Sequence, residues 1–174
     1  MHMRGQAERR FAVTLRHLDR YRFVSQASED GRPHGEPFTS DEPDPVGEAS
    51  GPATPALLAS ALGHCLSASL LEGLRHAHLT IQGCETEAVA VVKPNSEGLP
   101  RIDHVEVTIR PLLAQASPRM NRCADVFEKH CTVTSSVRQG IDVRVQVEFR
   151  IEETTEATRT QTSADASGSE AINP

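Results

Sequence analysis

The sequence predicts an α+β fold with an antiparallel sheet and one buried central helix, and three observations carry that reading. Predicted elements run strands, helix, strands, helix, strand, which is not the strict strand–helix alternation of a doubly wound parallel sheet. One long segment after Thr54 is apolar round most of its helical circumference. Two segments, Ile102 to Arg110 and Ile141 to Ile151, alternate apolar and polar residues with the period of a half-buried strand.

The elements follow in order. Residues 1–9 are polar and are expected to be flexible. Phe11, Val13 and Leu15 alternate with Ala12, Thr14 and Arg16, and Tyr21 to Val24 resumes as a strand after a turn at Leu18-Asp19-Arg20, so the two form a hairpin. Between Ser28 and Pro52 the composition changes to Gly, Asp, Glu and Pro. Pro33, Pro37, Pro43, Pro45 and Pro52 exclude a regular helix, and the stretch is expected to be an ordered functional loop or crossing connection. Thr54-Pro55 then opens the central helix, Thr as the expected cap and Pro at the first helical position. Leu57, Leu58, Ala61, Leu62, Cys65, Ala68, Ser69 and Glu72 share one side of it, and Leu66, Leu70, Leu71 and Leu74 extend the apolar surface further round. A helix this apolar needs cover on most sides, and a small domain requires a partner subunit to supply part of it.

Downstream, Leu79 to Val92 reads as a strand with a bulge at Gly83, and Lys93 to Gly98 as a turn. Ile102 to Arg110 is the next strand. Ser117-Pro118 starts a second helix, whose stripe is Met120, Cys123, Ala124 and Phe127 and whose end is near Lys129-His130. The alternation from Ile141 to Ile151 gives the last strand. Residues 154–174 hold too few apolar side chains to offset their ordering entropy and are expected to be disordered. The folded domain is therefore expected over 10–153.

Length, charge and cysteine spacing bound the function. A chain of 174 residues can bury a core without disulfides. Its net charge of −6 argues against nucleic acid as a partner, because phosphate binding needs a basic face. Ser60, His64, Ser67, Ser69 and Glu72 interrupt the longest apolar segment, which argues against a membrane span, and the MHMRGQAERR start has no apolar stretch of a secretory signal behind it. A cytoplasmic chain with reduced cysteines is the expectation. Cys65, Cys84, Cys123 and Cys131 form no C-x-x-C pair and no zinc-finger spacing, so no metal site is expected. Cys84 and Cys123 read as core residues. His64 adjoins Cys65 in sequence, but successive helix residues point about 100° apart, so direct activation by it is not expected. His76 and His78 lie at the helix end, where they complement its dipole.

The segments around the other two cysteines carry a family resemblance. GPATPALLASALGHCLSASLLEGL resembles the OsmC/Ohr helix pattern, roughly Gly-Pro-Ser-Pro, an apolar run and Leu-Gly-Ala-Cys. FEKHCTVTSSVRQGIDVRVQVEF is similar to the family's second motif, a Cys-Pro-Val segment with a short turn and a long last strand, and SDEPDPVGE resembles the family's Asp-Glu-Pro loop. The match covers about residues 10–150.

The resemblance implies an OsmC-like fold, a sheet wrapped around the central helix in an interlocked homodimer. It implies a thiol peroxidase that reduces organic hydroperoxides. Cys65 would attack the peroxide and become a sulfenic acid, Cys131 would resolve it as a disulfide, and an external dithiol, lipoyl-linked in the organic-hydroperoxide branch, would reset the pair. No bound cofactor is implied. An arginine from the N-terminal hairpin would lower the thiol pKa; Arg22 is preferred here and Arg20 is the other candidate. The family's helix glutamate falls at Pro55 and Ala56, neither of which can accept a salt bridge, and Glu48 in the preceding loop is the candidate substitute. The alternative is a non-enzymatic member that binds a small apolar ligand or senses thiol oxidation. The absent glutamate favours that alternative, and retention of both motif cysteines favours the enzyme.

Overall fold

The computed structural model describes residues 8–148; of these, 8–141 belong to one compact unit and 142–148 to another. In the first unit, β1 (Phe11–Asp19) and β2 (Arg22–Glu29) form the predicted hairpin, with Val13 opposite Ala27 and Leu15 opposite Ser25. The turn is tight because Arg20 takes a left-handed φ of 43°. The proline-rich stretch supplies two short strands that alternation alone does not reveal. These are β3 (Arg32–Pro33), against the end of β2, and β4 (Phe38–Ser40), against Phe23 to Ser25. Pro33 sits at the sheet edge, where its missing N–H costs no ladder bond.

A 23-residue helix, α1 (Thr54–His76), follows. Ala53 is the N-cap and Thr54, which makes no capping bond, is the first helical residue, so the helix begins one residue earlier than predicted and Pro55 falls at its second position, still within the first turn where its missing N–H costs no helical bond. Next comes a long antiparallel hairpin, β5 (Ile81–Pro94) and β6 (Pro100–Leu113). Its register shifts between Ile81 and Gly83, at the predicted bulge, and its turn is closed by Asn95 Oδ1 accepting from the Glu97 and Leu99 amides at 3.0 and 2.9 Å. α2 (Arg119–Val126), a 3-10 turn (Phe127–His130) and α3 (Thr132–Gln139) complete the unit.

The architecture is α+β with antiparallel strands, but among the described residues they form two separate sheets, one of four strands and one of two, rather than one. α1 packs on β5 and β6 and is braced by α2, the 3-10 turn and α3. Its buried row is Ala59, Leu62, Leu66, Leu70 and Leu74, four residues apart along most of its length. Gly63 lets the helix approach β5 closely, since a Cβ there would stand 3.2 Å from the Ala88 methyl. Ser67 fixes the same contact by a 2.6 Å hydrogen bond to the Thr86 hydroxyl. α1 is long and apolar enough to cross a bilayer, yet this leucine row meets protein.

Two expectations are corrected here. Ala124 is exposed, and only Met120, Cys123 and Phe127 of the predicted α2 stripe pack on the core. The segment 141–148 is in no strand ladder among the described residues, although its alternation is real. A strand needs a neighbouring edge for its backbone groups, which the pattern cannot supply. Val143, Val145 and Val147 are 78%, 81% and 69% exposed. The expected remainder of that strand and the 154–174 tail lie outside the described residues.

Candidate active site

Cys65 lies midway along α1 and is half-buried. At about 100° per residue it falls roughly opposite Gly63 and Ser67, the positions that meet β5. Cys131 is completely buried at the junction of the 3-10 turn and α3. Packing of α3 and the turn on α1 brings the two near enough to influence each other's ionisation, and both are free thiols. Cys131 is the N-cap of α3: the Thr134 amide donates to its sulfur at 3.4 Å, and its thiol lies 3.1 Å from the Thr134 hydroxyl.

Burial and the hydrogen bond with Cys131 push the Cys65 thiol up, against the pull of the Val133 and Thr132 amides. Burial also works against ionisation of Cys131. There the hydrogen bonds from Cys65, from the Thr134 hydroxyl and amide and from the Val133 amide outweigh it, so its pKa is lowered. Helix α3 is absent from the predicted elements, because Thr, Ser and Val are weak helix formers. Gly140 after its last turn and Arg138 within it are its legible stop signals.

Cys65 opens onto a groove of about 1460 Å³. The wall from α1 includes Leu57, Ala61, Cys65, Ala68, Ser69 and Glu72, six of the eight residues that helical spacing places on one face. Helical amphipathicity predicts cover for that face; among the described residues it is open. Phe127, Val133 and Phe11 add further apolar surface. A second concavity, about 600 Å³ beneath Leu58, Leu62 and Leu66 against β6, holds no cysteine.

Neither candidate arginine lines the Cys65 groove. Both meet Glu48 instead: Arg20 at 3.5 Å and Arg22 at 3.9 Å, with Arg22 also paired to Asp19 at 2.5 Å. The Arg22 Nε is buried without a hydrogen-bond partner among the described residues. Glu48 is held by a residue that sequence reasoning missed. Asp41, 4% exposed, accepts from the Glu42, Glu48 and Ser50 amides at 2.8, 3.1 and 3.2 Å and from the Ser50 hydroxyl at 2.9 Å. An acidic residue opening a Pro- and Gly-rich loop is its sequence signal. Arg20 also donates to the Pro45 carbonyl at 3.4 Å, which ties the β1–β2 turn to the same loop.

The other marked residues take lesser places. Cys84 is exposed on β5, contrary to a core role, and Cys123 is half-buried, its thiol donating to the Gly73 carbonyl at 3.5 Å. His64 is exposed on the groove wall, and His76 pairs with Glu72 at 3.1 Å in the last turn of α1. Among the described residues no cluster of side chains suits a metal ion.

The family model described as OsmC-like protein matches residues 47–164. No curated protein matches the chain. Solved structures share its fold at low identity. An OsmC-like protein of unknown function from Vibrio cholerae is 15% identical with a TM-score of 0.58, covering 75% of this chain and 93% of that one. An OsmC-like protein from Mycoplasma pneumoniae is 16% identical with a TM-score of 0.58, over 79% and 91%. An organic hydroperoxide resistance protein from Legionella pneumophila is 11% identical with a TM-score of 0.55, over 80% and 96%.

Proposed function

This chain belongs to the OsmC-like protein family, and from that membership we propose that it is a thiol peroxidase acting on organic hydroperoxides. The observation that carries the proposal is the cysteine pair: a half-buried Cys65 on the wall of an apolar groove, beside a fully buried Cys131 near enough to influence its ionisation. Cys65 is the sulfur a peroxide can reach. Its thiolate attacks the O–O bond, the alkoxide leaves, and a Cys65 sulfenic acid remains. Cys131, already adjacent, displaces hydroxide from that sulfur and closes the disulfide. An external dithiol, of the lipoyl-linked class, exchanges with the disulfide and returns both thiols. A reducing cytoplasm suits this cycle.

The working form in this proposal is a homodimer, and Arg22 reaches a Cys65 thiolate across it. Three features support that reading. Phe11, Val13 and Leu15 of β1 share one face and are 64%, 51% and 57% exposed. Among the described residues no helix packs broadly on the first sheet. The Arg22 guanidinium, steadied by Glu48 and Asp19, keeps its Nε unpaired within the described chain. Glu48 takes the part of the carboxylate missing at Pro55 and Ala56.

A second reading, non-enzymatic binding of an apolar ligand or sensing of thiol oxidation, is favoured by the same missing carboxylate and by the absence of Arg20 and Arg22 from the groove within one chain. Peroxide consumption with dihydrolipoamide as reductant decides between them. Wild type is expected to turn over and Cys65→Ser to be inert; consumption that survives Cys65→Ser rejects the enzyme proposal.

A further inference from the structure

We propose that Arg122 is the head-group residue of the Cys65 groove, selecting hydroperoxides whose apolar body ends in a carboxylate. The inference deepens the peroxidase reading and rests on it for turnover, but the binding it describes does not depend on that reading. The charge pattern of the groove leads to it. The chain has a net charge of −6 and 24 acidic residues, yet among the described residues Glu72 is the one acidic side chain that lines this groove. Four of the 8 histidines and Arg122 line it as well. An imidazole keeps at least one N–H donor in either charge state, and a guanidinium has donors alone, so the polar lining is suited to an acceptor. The rest of the wall is apolar. The complement of such a groove is an amphipathic anion.

The packing of α2 sets where the anion sits. Arg119 donates to the Ala77 carbonyl, just past the end of α1, at 3.1 Å, and the Cys123 thiol donates to the Gly73 carbonyl at 3.5 Å. Gly73 is eight residues beyond Cys65, or about 12 Å along the helix at 1.5 Å per residue. Arg122, next to Cys123, is therefore set toward the far end of the groove from the reactive sulfur. Ala68, Val126 and Phe127 line the same groove. A hydroperoxide lying along it can present its peroxide to Cys65 and its carboxylate to Arg122, with an apolar spacer of roughly that length between them.

The neighbouring charges leave Arg122 as the available cation. Glu72 is met by His76 at 3.1 Å and by Arg75 at 3.9 Å, and no carboxylate pairs with Arg122 among the described residues. Asp125, the acidic residue of α2, does not line the groove. Arg75 and His76, in the last turn of α1, offset the partial negative charge of its carbonyl end, which by itself would repel an anion there. In the proposed dimer Arg22 serves the peroxide end. A guanidinium meets a carboxylate through two parallel N–H···O bonds. One unpaired arginine also matches a single negative charge better than the nearly double charge of a phosphate monoester. Arg122 touches no reacting atom; its part is specificity.

The test measures binding apart from turnover. The full chain carrying Cys65→Ser is titrated calorimetrically with decanoate below its micelle concentration, with methyl decanoate and with decyl phosphate. Decanoate is expected to bind about tenfold more tightly than its ester, the worth of one charge-assisted pair. That preference should vanish in Arg122→Gln and survive in part in Arg122→Lys, which keeps the charge but not the fork. Arg122 is exposed, so these replacements leave the fold intact. Equal affinity for acid and ester, or a preference that Arg122→Gln leaves unmoved, overturns the proposal; so does decyl phosphate binding more tightly than decanoate. In the Cys65-containing protein, the ratio of kcat/KM for a fatty-acid hydroperoxide to that for its methyl ester should fall by the same factor in Arg122→Gln. Peroxide turnover with no preference for acid over ester would end this inference and spare the peroxidase reading; the binding preference without turnover would do the reverse.

Discussion

At the scale of single residues, the loop before α1 concentrates the testable chemistry. Glu48 is 56% exposed where it meets Arg20 and Arg22, so its pairs add at most about 1 kcal/mol to stability. If it steadies Arg22 for the reaction, Glu48→Gln should leave the melting temperature nearly unchanged and lower kcat/KM about tenfold, some 1.4 kcal/mol of transition-state stabilisation. Steady-state kinetics with an unaltered rate would remove Glu48 from the site. Asp41 makes a different prediction. Burial raises its pKa, but hydrogen bonds from the Ser50 amide and hydroxyl and from the Glu48 and Glu42 amides outweigh that and leave it below the ordinary carboxylate value. A depressed carboxylate stabilises the fold above its unfolded pKa, and that contribution is lost as pH falls through the folded one. Stability should therefore decline on acidification below about pH 4, and Asp41→Asn should melt earlier at neutral pH while losing part of that acid dependence. Thermal melts across pH check both; parallel curves for the two proteins would contradict the role.

At the scale of elements, α1 has two apolar faces with different fates. Leu74 is 2% exposed in the cluster with Leu70 and Leu79, and Leu74→Ala should cost about 2–5 kcal/mol by chemical denaturation, the usual range for a buried leucine. Ala61 sits on the groove face and is exposed, so Ala61→Ser should change the stability of a single folded chain by less than about 0.5 kcal/mol. A larger loss at Ala61 would mean that a second copy covers the groove. The loop is the least tolerant element for its size. A Cβ at Gly47 would fall inside the Glu42 carbonyl and the Asp41 carboxylate, so Gly47→Ala should cost about 1–3 kcal/mol and release Glu48. A Gly47→Ala variant as stable as wild type would show the loop to be looser than its hydrogen bonds imply.

At the scale of the whole molecule, the apolar rows on β1 and on residues 143–147 are too regular to be incidental and need a covering surface. A homodimer is the proposed answer, and Val13→Glu should dissociate it; sedimentation showing a folded wild-type monomer at micromolar concentration would refute the assembly. Much of the fold is legible in the sequence. The β1–β2 hairpin, the Gly83 bulge, the β5–β6 hairpin and α1 all follow from periodicity and turn chemistry, which act between residues close in sequence. The sequence by itself also marks Cys65 and Cys131, through their setting in family-like motifs, and offers Arg22 or Arg20 and Glu48 as their candidate supports. Other features were decided only in three dimensions. Helical spacing cannot choose which stripe of an all-round apolar helix meets the sheet; the close approach at Gly63 and the Ser67–Thr86 bond chose the Leu62–Leu74 row and left Cys65 on the open side. Weak helix propensity hides α3, which forms because packing on α1 and a buried cap compensate for it. The alternation after Ile141 specifies a strand face, but a ladder also needs a neighbouring edge. Local pattern thus determined the β1–β2 and β5–β6 hairpins and α1, while α3, the meeting of Cys65 with Cys131 and that of Glu48 with the arginines depended on residues far apart in sequence, whose contacts exist only once the elements have packed.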